Sequence, residues 1–430
     1  TIPENTVPGD CGKYRPASVT YFYDFFTTYD ILLTTARAAR SILLGITAFR
    51  RFLMKSSILS KRILSVAFMF VLAVSLATAR TRDGRPLIQI ALLLDTSNSM
   101  DGLIDQAKSQ LWTIVAETGK MSRHGERARL EVALYEYGND SNSVFSGYVR
   151  QVMPFTDDLD ALSARLFELD TNGGDEFCGL VIKKSLDELD WSTRDADLRV
   201  AYIAGNEPFT QGPVNYRDSG RKAARMGVVV NTIFCGSREE GISSRWADGA
   251  RVTGGAYANI DGDYEYEYVP CPQDDRLSEL NSRLNDTYIA YGSAGTARKA
   301  MQEEQDTMAE SQNKEGFFNR AKVKSSKSYS NSSWDLVDAT TSGEKPLASV
   351  KEADLPAELR ALDKSEREAY VAGKLAERTK IQGEIAALSA ERESWLAAHK
   401  ADTKGKGALD TAMLAPLADL AKVKGFVRGE

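Results

Sequence analysis

Histidine is nearly absent from this chain: 430 residues contain two, His124 and His399, both in polar surroundings. Chemistry that leans on an imidazole base, or on several imidazole ligands around one metal, therefore has little to work with. Cysteine is scarce too, four in all, and no two stand as Cys-x-x-Cys, so neither a zinc site nor a Cys-His nucleophile is supported. There is no basic excess: 54 Lys and Arg face 60 Asp and Glu, a formal net charge of -6, which argues against the cationic face that nucleic-acid binding requires. A phosphate loop of the G-x-x-x-x-G-K-[ST] kind is missing. What the chain does have is 43% hydrophobic and 27% charged residues, the profile of a soluble globular protein. Its length leaves room for a full core and a second region, since domains usually run on the order of 100–200 residues.

The amino-terminal part divides in two. Residues 1–53 carry aromatic clusters (Tyr21-Phe22-Tyr23, Phe25-Phe26) and scattered Arg without a clear element. From Met54 the order is that of a secretory signal: basic Lys55, Lys61 and Arg62, the apolar run Ile63 to Ala77, then the small-x-small site Ala77-Thr78-Ala79. The run is roughly 15 residues, short of the about 20 that a spanning helix wants. The expectation is a cleaved signal at 54–79, upstream sequence at 1–53, and an exported, periplasmic or extracellular product. Membrane contact is expected only if the signal segment is retained.

The rest of the chain is organised around Ile88–Met100, IQIALLLDTSNSM. A run of aliphatic residues with little polar alternation reads as a strand buried on both faces, with Asp95-Thr96-Ser97-Asn98-Ser99 at its carboxyl end. Open α/β sheets place ligands at that end. One carboxylate and two hydroxyls at alternate positions can turn three oxygens toward one point, a set that suits a hard divalent cation. Mg2+ fits best, with Mn2+ or Ca2+ as alternatives.

Downstream, Leu103–Val115 has helical apolar spacing, and Arg129–Tyr137 and Tyr148–Met153 read as strands joined through the turn-rich Gly138-Asn139-Asp140-Ser141. Helices follow at Asp157–Leu169 and Leu180–Leu189, a strand at Leu198–Ala204, a helix at Tyr216–Ala224, and a doubly buried strand at Gly227–Phe234. A short strand at Ala256–Ile260, which Asp263–Val269 could extend as an edge, precedes a helix carrying Leu277, Leu280, Leu284 and Tyr288 on one face. This order predicts an α/β fold: a doubly wound, mainly parallel six-stranded sheet with helices on both faces, followed by a mostly helical region.

Asp95-x-Ser97-x-Ser99, with a strand before it and a helix after it, resembles the D-x-S-x-S signature of the von Willebrand factor type A family. The resemblance covers about residues 85–292, and LEVALYEYGND, TNGGDEFCG, IAGNEPFTQGPV and NTIFCG are similar to stretches of exported bacterial type A domain proteins. It implies a metal-ion-dependent adhesion site on Asp95, Ser97 and Ser99. Two positions depart from the family pattern. The usual Thr of the second site loop falls on Glu176, and the Asp of the later T-D-G falls on Gly205. Asp175 and Glu176 keep negative charge on the facing loop, and Asn206 and Glu207 could act through water, because such ions tolerate exchange among oxygen ligands. The same two carboxylates could instead cap the helix that starts near Gly179.

Cys178 and Cys235 fall at one edge of the expected sheet, where a disulfide or a pair of buried thiols is possible; Cys271 is left over. Beyond Gly292 the composition shifts to Ala, Gln, Glu, Lys and Ser. Residues 293–355 read as a linker with short helices, polar at Lys322–Ser333, and 356–430 as a helical region. Its seam of Val371, Ile381, Ile385, Leu388 and Trp395 is interrupted by Lys374, Arg378 and Arg392, which favours a helical hairpin or a helix lying on another surface over a long uniform coiled coil. With nucleophile, base and oxyanion donors unfilled, the reading is non-catalytic. The resemblance implies a protein partner that offers an acidic side chain to the cation. The alternative is a metal-free scaffold whose helical tail makes the interactions. For the amino terminus the expected outcome is concrete: intact-mass analysis of the native protein gives a start near Arg80, and recovery of a peptide containing Tyr21 refutes it.

Overall fold

The computed structural model describes residues 84–260, 268–343, 345–399 and 409–429. The expected signal at 54–79, the residues before it, and most of the possible edge extension at 263–269 lie outside the described residues. The six-stranded sheet is built from β1 (Leu87–Asp95), β2 (Arg129–Tyr137), β3 (Arg150–Thr156), β4 (Leu198–Gly205), β5 (Val229–Cys235) and β6 (Tyr257–Ile260), in the spatial order β3-β2-β1-β4-β5-β6. All neighbours run parallel except β2 and β3. Strand order reverses between β1 and β4, so the crevice outside their carboxyl ends is the topological switch point, where doubly wound sheets bind ligands.

Every residue of β1 is buried because both faces are covered. Ile88, Ile90, Leu92 and Leu94 enter one apolar cluster, whereas Ala91 and Leu93 enter the other, the two-residue period of a strand. On the first face lie α1 (Asp101–Thr118) and α2 (Leu159–Phe167); on the second lie α3 (Cys178–Glu188) and α4 (Tyr216–Arg225). Two short helices, α5 (Arg238–Ser243) and α6 (Trp246–Arg251), complete the second face, where Trp246 is fully buried against Phe209 and Phe234. The expected fold class is the observed one.

The helical region is part of the same core. After α7 (Asp274–Asn285) come α8 (Gly295–Gln312), α9 (Lys314–Lys324), α10 (Leu336–Thr341), α11 (Lys364–His399) and α12 (Leu409–Val423). Leu409, Met413 and Leu417 of α12 close the first face of the sheet, and the Tyr202 hydroxyl donates to the Met413 carbonyl at 2.7 Å. Val427–Arg428 then pairs with Met121–Arg123, which also pairs with Glu126–Arg127 in a small three-stranded sheet.

Charges that read as solvent-facing in the sequence are the pins of this arrangement. Lys322–Ser333, expected as a polar linker, contains Lys324, fully buried at 2.6 Å from Asp306. Arg320 reaches Asp160 at 2.7 Å and Asp306 at 2.5 Å. On α11 two of the three supposed interruptions of the seam point inward, Lys374 staying at the surface beside Glu377: Arg378 bonds Asp335 and Asp338, each at 2.6 Å, and Arg392 bonds Asp274 at 2.8 Å and Glu315 at 2.7 Å. The helix lies across α7 and α9 and fills its inner face with Ile381 and Ile385 between these pairs. Removing one member of a buried pair leaves the other charge stranded. Arg378→Ala should accordingly cost about 3–5 kcal/mol in urea denaturation, and a loss below about 1 kcal/mol would contradict the pinning role.

Candidate functional site

Asp95 ends β1 at the switch point with no exposed surface. Its Oδ1 accepts the Ser97 N–H at 2.9 Å, which folds the loop back over the strand end, and Ser97 in turn accepts Met100 N–H at 3.0 Å as the chain turns into α1. Ser97 Oγ lies 3.4 Å from Ser99 Oγ, and Ser99 Oγ accepts from Asn206 Nδ2 at 2.9 Å. The Asp95, Ser97 and Ser99 side chains, adjacent in sequence, are therefore adjacent in space, with Ser97 buried and Ser99 exposed.

Three further loops close around them. The loop after β2 is tied down by Asp140 N–H to Gly173 O at 2.6 Å and by Asn139 Nδ2 to Asp170 O at 2.9 Å; Asn172 N–H reaches Thr96 O at 3.0 Å. These bonds seat the loop before α3 against the Asp95 loop and bring in Glu176. Gln211 fixes Glu176 from the other side: with its amide nitrogen turned inward, it donates to Glu176 O at 3.0 Å and Oε2 at 3.1 Å. Glu176 is buried and Asp175 beside it is exposed. Neither carboxylate caps α3, whose first turn is free of side-chain caps. Of the two residues read as possible water-mediated ligands, Asn206 touches Ser99 directly, and Glu207 is half-buried with its charge felt at Glu176.

Two glycines shape the hollow. Gly138 has φ +81°, and a Cβ there would lie 2.9 Å from Asp95 Oδ1, 2.8 Å from Glu176 Cγ and 3.6 Å from Ser97 Cβ. Its missing side chain leaves a cradle bounded by two carboxylates and a hydroxyl-bearing residue. Gly205, in the place of the family's Asp, is dictated by packing: a Cβ would meet the Tyr137 hydroxyl at 2.5 Å and Asp95 Oδ2 at 2.7 Å. Tyr137, fully buried, donates to Ala204 O at 2.9 Å and occupies that ground. The sequence offered a signal for this in the Tyr137-Gly138 and Gly205 pairing, but only the parallel register of β2, β1 and β4 brings them together.

The electrostatics are those of concentrated negative charge. Burial pushes the Asp95 carboxyl up to about 7, with the charge of Glu176 adding to it and hydrogen bonding from Ser97 opposing it. Glu176 is raised as well, by burial and then by Glu207. Asp95 Oδ2 and Asn206 Oδ1 are buried without a hydrogen-bond partner; the Asn206 N–H eases the Asp95 charge without bonding Oδ2. Such groups are costly unless water or an ion meets them. Among the described residues no group of three or more His, Cys, Asp or Glu gathers at one point, so an ion here would depend on hydroxyl and amide oxygens as much as on carboxylates.

The possible Cys178–Cys235 disulfide is not formed: both are free and buried, as is Cys271. The reason is the sheet itself. Cys178 belongs to the cluster on one face and Cys235 to the cluster on the other, with Tyr137 close to both. Burial and the nearby Asp95 charge push both thiols well up, which keeps them protonated and poor nucleophiles.

No protein-family model matches the chain, and no curated protein does. Among solved structures it is similar to the conserved hypothetical protein BatB of Bacteroides thetaiotaomicron, at 15% identity and a TM-score of 0.32 over 52% of this chain and 99% of that one. It is similar also to the SpRpn10 VWA domain, at 14% and 0.32 over 40% and 88%. An aerotolerance-related membrane protein from Bacteroides fragilis follows at 15% and 0.28, over 51% and 100%. Similarity at this level bears on neither activity nor partner.

The raised Asp95 carboxyl sets a pH dependence. Between its free value of 3.8 and about 7 the folded state holds a proton that the unfolded chain has released, so stability falls as pH rises through that window and levels off above it. In EDTA, wild type should lose up to about 4 kcal/mol relative to Asp95→Asn across the window. Urea denaturation of both proteins near its two ends checks this, and a constant difference between them would contradict the assignment.

Proposed function

We propose that this chain is a non-catalytic binding protein whose type A-like domain holds a divalent cation, Mg2+ most readily, through Asp95, Ser97, Ser99 and Glu176. The observation that carries the reading is the Gly138 cradle: Asp95 Oδ1 and Glu176 border it beside Ser97, and neither carboxylate has a cationic side chain among the influences on it. When bound, the ion supplies positive charge and an open coordination position, which an acidic side chain of a protein partner can fill. The chain's residues do the rest. Asp95 stays unprotonated at neutral pH once its charge is met, Ser97 and Ser99 present hydroxyl oxygens, and Gln211 keeps Glu176 turned inward. Asp175, exposed on the same loop, adds negative charge at the rim of the site. Export of the protein belongs to the same proposal and rests on the Met54–Ala79 pattern.

The second reading, a metal-free scaffold, has one observation in its favour: packing forbids a carboxylate at position 205, so the later Asp of the family pattern has no counterpart at that strand end. In that reading the interacting surface would be the outer face of α11, since its inner face is already used. A thermal-shift titration of the full chain with Mg2+, Mn2+ and Ca2+ separates the two. The expected result is a rise of about 5 °C or more at saturating Mg2+ in wild type and none in Asp95→Ala. An unresponsive wild type, or an equal response in the variant, would leave the scaffold.

A further inference from the structure

At the opposite end of the sheet from Asp95 lies a cleft of about 250 Å³, far more than the ~10–15 Å³ that a single water needs. One wall is the start of β2 with the hairpin before it, the other is the 327–334 segment that follows α9, and the turn between β3 and α2 closes the end. The walls are basic. Arg85, Arg127, Arg129 and Lys327 line the cleft against two acids, Asp157 and Asp158. Of these, Arg129 is engaged by Glu131 at 2.9 Å and Asp158 by Arg298. Arg127 and Lys327 have no ion-pair partner among the described residues and stand exposed on facing walls.

The 327–334 segment, Lys-Ser-Tyr-Ser-Asn-Ser-Ser-Trp, adds small hydroxyl side chains that line the cleft without filling it. The segment is held in place: Tyr329 is buried and donates to Asp160 Oδ2 at 2.6 Å, Ser328 N–H bonds Ser326 Oγ at 3.2 Å, and Asn331 N–H bonds Asp338 Oδ2 at 2.7 Å. The opposing hairpin is held by Val427–Arg428 and by Arg123 lying over the Phe426 ring. Both walls thus keep their spacing without a ligand. Half-buried Leu130, with the buried Val115 and Trp334, gives the cleft an apolar element.

We infer that this cleft is a binding site for a small hydroxylated anion, a sugar phosphate or a sugar acid, clamped between Arg127 and Lys327. A guanidinium fork and an ammonium on facing walls suit a phosphate or carboxylate group. Serine hydroxyls and Asp157 suit the ring hydroxyls, and the apolar element suits the C–H face of the ring. The site is independent of the Asp95 hollow, at the other end of the strands.

Isothermal titration of the full chain with glucose 6-phosphate, glucuronate and inorganic phosphate tests it. Wild type should bind glucose 6-phosphate or glucuronate, more weakly as salt is raised, and the stronger of the two identifies the anionic group. Arg127→Ser with Lys327→Ser should weaken binding about tenfold or more with the ligand-free melting temperature unchanged, because both side chains are exposed. Asp95→Asn should leave the affinity as it is, which keeps this site's outcome separate from that of the cation site. Absence of binding by all three probes at millimolar concentration overturns the inference. So does affinity indifferent to the double substitution, or inorganic phosphate binding as tightly as both sugars.

Discussion

A carboxylate at the carboxyl end of a strand buried on both faces is the constraint from which the rest of this site follows. Asp95 has no exposed surface, one oxygen committed to the Ser97 amide and the other without a partner. No lysine or arginine is among the influences on its charge. Everything nearby accommodates that charge. Glycine stands at 138 and 205, where any side chain would strike it, and Tyr137 turns its hydroxyl to a backbone carbonyl. A protein that keeps an unpaired acid in such a place holds a group whose charge state answers to what approaches it.

Much of this was legible in the sequence. The run Ile88–Leu94 ending in Asp95 reads correctly because a strand covered on both faces needs no polar alternation, and the structure covers it on both faces. The helices and strands that follow are where apolar spacing puts them, to within a few residues at their ends. The gathering of Asp95, Ser97 and Ser99 was also legible, since neighbours at alternate positions on one tight loop have few other places to go. Glu176 was found by counting from its helix, but Asp175 next to it faces outward, and one residue's difference in direction is beyond a count.

The misreadings share a physical origin. Arg378 and Arg392 were taken for breaks in an apolar seam, and Lys324 for part of a polar linker, because in a linear sequence a charge facing water and a charge facing an opposite charge in the interior are written with the same letter. Their partners, Asp335, Glu315, Asp274 and Asp306, sit on other helices. The cysteine pair failed for a complementary reason. Cys178 and Cys235 both fall near the carboxyl ends of the strands, yet a sheet has two sides, and position along its edge says nothing about which side a sulfur occupies.

The position of α12 carries a consequence for how the protein is made. Leu409, Met413 and Leu417 cover an apolar face whose strands are contributed from residue 87 onward. During synthesis, every strand of the sheet has left the ribosome while that covering is still untranslated. The nascent chain must therefore leave part of that face uncovered for the time needed to translate more than a hundred further codons, long enough for its secondary structure to form many times over.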